Sequence, residues 1–143
     1  LDQTTNDRAI SGASPRFSIP EPGLEEHGHL TEVRALDIAT GREAWRYSQR
    51  APNMGSTLAT AGNVVFFGDL NRRLRAFDAE TGTVLWETIL GSQITGYPVT
   101  YAVGGRQYLT VPVGGVDNRL ATYTPELEAP NGSNMLVTFA LPN

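Results

Sequence analysis

The sequence predicts an all-β chain in which short strands are stacked as repeated sheets. Three observations carry that prediction. First, Arg34-Ala35-Leu36-Asp37-Ile38-Ala39-Thr40-Gly41-Arg42-Glu43-Ala44-Trp45 has a near twin in Arg75-Ala76-Phe77-Asp78-Ala79-Glu80-Thr81-Gly82-Thr83-Val84-Leu85-Trp86, and each Asp, Gly and Trp is displaced by 41 residues. Second, each copy reads as strand, tight turn, strand: an apolar run, then Asp-x-x-Thr-Gly, then an outgoing strand carrying the Trp. Third, a period near forty residues with four short strands per unit is the pattern of a propeller blade.

The chemistry of the turn is local. The Asp side chain can accept from backbone amides two residues on, and Gly takes the positive φ that closes the reversal. The Trp, four residues after the Gly, is expected to be core, filling space between stacked sheets. Its indole N–H then needs an acceptor, and a neighbouring backbone carbonyl is the expected supplier.

Residues 1–29 show no periodicity and hold Pro15, Pro20 and Pro22 among Ser, Gly and charged residues. They are expected to form an extended leader or linker, with residues 30–143 forming the blades. His27 and His29 make a His-Gly-His pair, but no third ligand stands near them, so a solvated pair is expected rather than a metal site. Residues 30–47 carry the first repeat copy. Asn53–Leu58 is a connection bearing Gly and Ser, and Val64-Val65-Phe66-Phe67-Gly68 reads as a buried strand. Asp69–Arg73 turns into the second copy, so one complete blade is expected over about residues 57–90.

Beyond Trp86 the order recurs, Gly55 mapping onto Gly96 and Leu58 onto Val99. Gly96–Tyr101 enters a strand, Gly104-Gly105 turns, and Gln107–Val111 returns. Gly114-Gly115 permits a turn at positive φ or a close backbone approach. Residues 117–134 read as an inserted loop, and Met135–Leu141 as a final strand. No Gly-x-x-x-Trp follows it, so the last blade is expected to end one strand short. About three units fit in 143 residues, whereas propellers close with about four to eight blades. The chain is therefore expected to be part of a larger ring.

Composition sets few limits. The chain is 40% hydrophobic and 18% charged, with a net charge of −4 and no run of like charges. Nucleic acid and anionic lipid are not expected as partners. No apolar run is long enough for a membrane span. With no cysteine, disulfides, thiolate metal sites and thiol nucleophiles are excluded within this chain. Neither a Ser–His–Asp set, nor clustered carboxylates, nor a P-loop is present, so no catalytic residue is expected here. The candidate ligand-facing loops are Asn53–Thr57, Ser92–Pro98 and Pro112–Asp117, at matching places in their units.

These stretches resemble the C-terminal part of the pyrroloquinoline-quinone (PQQ)-dependent alcohol dehydrogenases. The residues that carry the resemblance are Leu58–Gly68, Leu74–Gly82, Leu85-Trp86, Gly96–Tyr101, Gly105–Tyr108 and Val113–Gly115. The resemblance implies an eight-bladed periplasmic propeller. It also implies PQQ and a calcium or lanthanide ion near the ring axis, both held largely by other blades. An alcohol, polyol or sugar would be oxidised, with electrons passing to a cytochrome c. The partner would be the remaining N-terminal propeller chain of the same enzyme.

The residues implied beside the cofactor are Asn53, Met54, Gly115 and Val116. Methanol-oxidising members carry Trp at the positions of Met54 and Val116, so a wider pocket and a substrate bulkier than methanol are expected. A Trp-repeat propeller acting as a protein-binding scaffold is the alternative. The Gly96-Tyr97-Pro98 and Gln107-Tyr108 blocks argue against it, since a scaffold requires neither. A third reading, a short domain closed by oligomerisation, needs several copies to complete a ring.

Overall fold

A computed structural model describes residues 28–115, 123–127 and 134–141. Among them, nine strands form three antiparallel sheets and no helix of more than a single residue occurs. The first sheet pairs β1 (Thr31–Leu36) with β2 (Glu43–Gln49). The second runs β3 (Thr57–Ala59), β4 (Val64–Gly68), β5 (Arg73–Asp78) and β6 (Val84–Ile89) in sequence order. The third joins β7 (Val99–Val103), β8 (Arg106–Val113) and β9 (Met135–Ala140). The complete central blade spans 57–89, as the sequence predicts, and the third sheet has three strands among the described residues. No helix is long and apolar enough to cross a membrane among the described residues.

The two repeat turns superimpose in their bonding. Asp37 Oδ1 accepts from the amides of Ala39 (3.0 Å) and Thr40 (2.7 Å) and from Thr40 Oγ1 (2.9 Å). Asp78 Oδ1 does the same with Glu80 (3.0 Å), Thr81 (2.8 Å) and Thr81 Oγ1 (3.0 Å). Gly41 and Gly82 close the turns at φ of 70° and 71°. A register shift sits between Ala35 and Leu36 in one copy and between Ala76 and Phe77 in the other.

Alternation along β4 and β5 builds two cores, one on each face of the central sheet. Phe67 and Phe77 face the first sheet, packing with Val33 and Trp45 and flanked by Tyr47 and Val65. Leu74, with Phe66 beside it, faces the third sheet and meets Leu109, Val111 and Val113. The cores lie between sheets, so each sheet depends on its neighbour to bury its side chains.

Trp45 is buried between the first two sheets, and its Nε1 donates to the Ala79 carbonyl at 2.8 Å. Trp86 departs from the expectation for its twin, being 39% exposed. Its ring meets Phe139 edge-on at 5.3 Å, in the place where Trp45 stacks on Phe77. Gly82 lies under the Trp45 ring. A cavity of about 550 Å³ is left beside Trp86, lined by Leu85, Tyr108, Phe139 and Leu141 among others. The outer face of the third sheet is likewise open, with Val99, Tyr101 and Val103 exposed and the Tyr101 and Tyr108 rings stacked at 5.4 Å.

Charge pairs tie the outer strands of each hairpin. In the first, Glu32 bridges Arg34 and Arg46, and Arg46 Nη2 also meets Glu43 at 2.9 Å. In the second, Glu87 bridges Arg73 and Arg75. Glu32 and Arg46 thus correspond, at the repeat offset, to Arg73 and Glu87, with the signs reversed. Arg75 is the buried member: it meets Asp69 Oδ2 at 2.7 Å and Gln49 Oε1 at 2.8 Å, and lies over the Tyr47 ring.

Candidate functional site

In a meander of antiparallel strands, alternate connections share one end. The links β2–β3, β4–β5, β6–β7 and β8–β9 therefore lie together, and they contain all three candidate loops. Their approach is close. A Cβ on Gly55 would stand 3.0 Å from the Gly96 carbonyl oxygen, and one on Gly96 would stand 2.6 Å from the Pro112 Cβ. Thr95 Oγ1 donates to the Gly114 carbonyl at 2.7 Å, and the Gly114 N–H donates to the Gln93 carbonyl at 2.8 Å. The loops form a continuous shelf in the order 53–57, 92–98, 112–115.

Of the residues expected beside a cofactor, Asn53 and Met54 sit half-buried on the first loop and Gly115 is exposed on the third. The segment Ile94–Gly96 joins the two. Asn53 Nδ2 donates to the Gly68 carbonyl at 3.0 Å, which fixes the loop to the end of β4 and leaves Oδ1 as its remaining polar atom. Val116 lies outside the described residues, as does His27. Among the described residues no three His, Asp or Glu side chains come together.

A cavity of about 430 Å³ opens beside Gly115, lined by Thr95, Pro112, Gly114, Asn134 and Leu136 among others. Thr95 belongs to the candidate loop 92–98 but is not singled out by the sequence, and Asn134 is missed by it. Asn134 Oδ1 accepts from the Gly115 N–H at 2.7 Å. Its only sequence signal is an Asn immediately before a strand, far from Gly115 along the chain. Residues Tyr123–Leu127 from the inserted loop reach the first blade. Arg50 Nε meets Glu126 Oε1 at 2.6 Å and Arg50 Nη2 donates to the Tyr123 carbonyl at 3.0 Å. The hydrogen bond from Arg50 holds the Glu126 carboxyl below the usual carboxylate range.

Stacked four-stranded sheets joined by an interlocking Trp define β-propeller blades. Residues 48–109 match the family model "Glucose/ethanol/alcohol dehydrogenase, beta-propeller domain", a PQQ family. The chain is 40% identical over 118 residues to the quinoprotein alcohol dehydrogenase PedH of Pseudomonas putida, covering 80% of this chain and 20% of that protein. It is 46% identical over 93 residues to the 1-butanol dehydrogenase (cytochrome c) of Thauera butanivorans, covering 65% and 13%. The structure of a europium-containing methanol dehydrogenase superimposes with a TM-score of 0.64 at 25% identity, over 77% of this chain and 23% of that one. The chain thus matches the C-terminal part of a PQQ-dependent alcohol dehydrogenase, and spans 20% or less of the length of the two curated relatives.

Proposed function

We propose that this chain supplies the C-terminal blades of a PQQ-dependent dehydrogenase, which oxidises an alcohol, polyol or sugar to the aldehyde or ketone. In this reading the enzyme is periplasmic, passes its electrons to a cytochrome c and closes as an eight-bladed ring. Residues 1–29 act as a leader or linker and 30–143 as blades, completed by the remaining N-terminal propeller chain. The observation that carries the reading is the span of the family match. Residues 48–109 include the whole central blade and the loops 53–57 and 92–98. The open apolar face of the third sheet supports a following blade, because such a face is expected to be covered.

The described residues fit one edge of a flat ligand. Gly55, Gly96, Gly114 and Gly115 let the loops present close-packed backbone in place of projecting side chains. Asn53, Met54, Gly115 and Val116 would border the quinone, with Met54 and Val116 leaving space for a substrate larger than methanol. When bound, the quinone supplies the hydride acceptor and a calcium or lanthanide ion the Lewis acid. The europium in one structural relative supports the lanthanide option. The catalytic base and the ion's ligands would come from the remaining blades. This chain's own part is to orient the cofactor edge, exclude water and shape the substrate space.

The test uses the complete polypeptide loaded with quinone and ion, assayed by dye reduction against methanol, longer alcohols, polyols and sugars at equal concentration. Quinone-dependent oxidation of a bulkier alcohol is the expected result. Faster turnover of methanol than of any polyol would defeat the substrate assignment, and no quinone-dependent oxidation would defeat the enzyme.

A further inference from the structure

We infer that Asn134 is a positioning and binding residue of the cavity beside Gly115. Its carboxamide oxygen holds the Gly114-Gly115 backbone, and its NH₂ group donates to an acceptor oxygen on the rim of the bound quinone. The inference rests on the reading of the pocket given above and deepens it.

The geometry begins with the ladder. Met135 pairs with Val113, so the residue before β9 necessarily lies beside the residue after β8. That places Asn134 alongside Gly114, at the end of the sheet where the candidate loops gather. Gly114 and Gly115 hold φ of 126° and 82°, two consecutive values that side-chain-bearing residues rarely adopt. Asn134 is pressed flat against them, since a Cβ on Gly114 would stand 2.2 Å from Asn134 Oδ1. Three hydrogen bonds then lock the turn: Gly115 N–H to Asn134 Oδ1, Thr95 Oγ1 to the Gly114 carbonyl, and Gly114 N–H to the Gln93 carbonyl.

The same bonds fix which way the carboxamide points. A backbone N–H can donate only to the oxygen, so the atom facing Gly115 is Oδ1 and the opposite atom is Nδ2. Among the described residues Nδ2 has no hydrogen-bond partner, and Asn134 lines the cavity. A side-chain amide anchored on one side and open on the other is a preorganised donor pair. Its complement is an acceptor oxygen at the edge of a planar ligand, and the carbonyl and carboxylate oxygens of the quinone are of this kind.

Three variants of the complete polypeptide test the inference, each prepared as apoenzyme and titrated with PQQ by quenching of protein fluorescence, alongside its thermal midpoint. Asn134→Ala removes both the anchor and the donor. Asn134→Asp keeps an oxygen for the Gly115 N–H and replaces the donor with a charge. Thr95→Val loosens the Gly114 carbonyl and leaves the donor in place. The expected result is a Kd for PQQ raised about tenfold, or about 1.4 kcal/mol, in Asn134→Ala. Asn134→Asp should weaken binding at least as much while its apoenzyme melts with the wild type. Thr95→Val should weaken it less than either.

Wild-type affinity in Asn134→Asp would overturn the donor role. Affinity losses that only track a falling apoenzyme midpoint would reduce Asn134 to a structural residue and overturn the inference. An unsubstituted enzyme that binds no PQQ would overturn the cofactor reading itself, so the two failures are distinguishable.

Discussion

Trp45 and Ala79 are joined across two blades by one hydrogen bond, indole N–H to carbonyl at 2.8 Å, with the Trp ring resting over Gly82. The repeat turn of one blade is thus the lid on the Trp of the blade before it. Replacing Trp45 by Ala should destabilise the fold by about 3–5 kcal/mol, the range for emptying a large aromatic site. Chemical denaturation monitored by circular dichroism would measure it.

Gly82 and Gly41 separate two effects that a glycine usually confounds. Both have φ near 70°, but a Cβ on Gly82 would stand 2.6 Å from the Trp45 ring, whereas a Cβ on Gly41 would meet nothing within 4 Å. Gly41→Ala should therefore cost only the left-handed backbone penalty, about 1 kcal/mol. Gly82→Ala should cost clearly more. Equal losses from the two in parallel thermal melts would show that the ring contact contributes nothing.

The buried Arg75–Asp69 pair should behave unlike the surface pair Arg50–Glu126. Asp69 is fully buried and Arg75 nearly so. Asp69→Ala leaves a buried cation facing only Gln49, Tyr47 and the partly exposed Glu87. A loss of about 3–5 kcal/mol is expected. Glu126→Gln, at an exposed pair, should leave the midpoint of unfolding unchanged.

The two turn carboxylates set an acid limit. The hydrogen bond from the Thr40 side chain holds Asp37, and that from the Thr81 amide holds Asp78, below the usual value of 3.8. The folded state therefore favours the ionised form. That contribution is complete above the unfolded-state value and disappears as pH falls through the lowered folded values. Stability measured from pH 6 to pH 3 should fall below about pH 4. An Asp37→Asn, Asp78→Asn double variant, which keeps the turn acceptors without the charge, should show a shallower fall.

Met54 offers a test of substrate size. Met54→Trp narrows the space beside the first loop, and in the complete enzyme it should lower kcat/KM for a polyol relative to methanol by about tenfold or more. An unchanged ratio would remove Met54 from the substrate wall.

Local chemistry was legible in the sequence wherever its cause was local. The Asp-x-x-Thr-Gly turns, the complete blade between residues 57 and 89 and the Trp45-to-carbonyl bond each follow from one repeat unit and its neighbour. The exposure of Trp86 was not legible because it depends on what packs against the ring from the next sheet, which its own repeat unit does not specify. Asn134 was invisible for a similar reason. Its contact with Gly115 spans nineteen positions and arises only once β8 and β9 are in register.

The sign reversal between the two hairpins bears on how such a chain reaches its fold. Near-identical neighbouring copies can exchange strands during synthesis, a characteristic failure of repeat proteins. Were β5 to pair with β2 at the equivalent register, Arg73 and Arg75 would crowd against Arg46. The native hairpin also sets Arg34 opposite Arg46, but Glu32 bridges the two, and a swapped β5 would bring Arg73 in place of that carboxylate. Like charges set side by side penalise a ladder. Strand β2 therefore carries an electrostatic address that favours its own partner strand, so that sequences similar enough to build the same blade remain different enough not to build each other's.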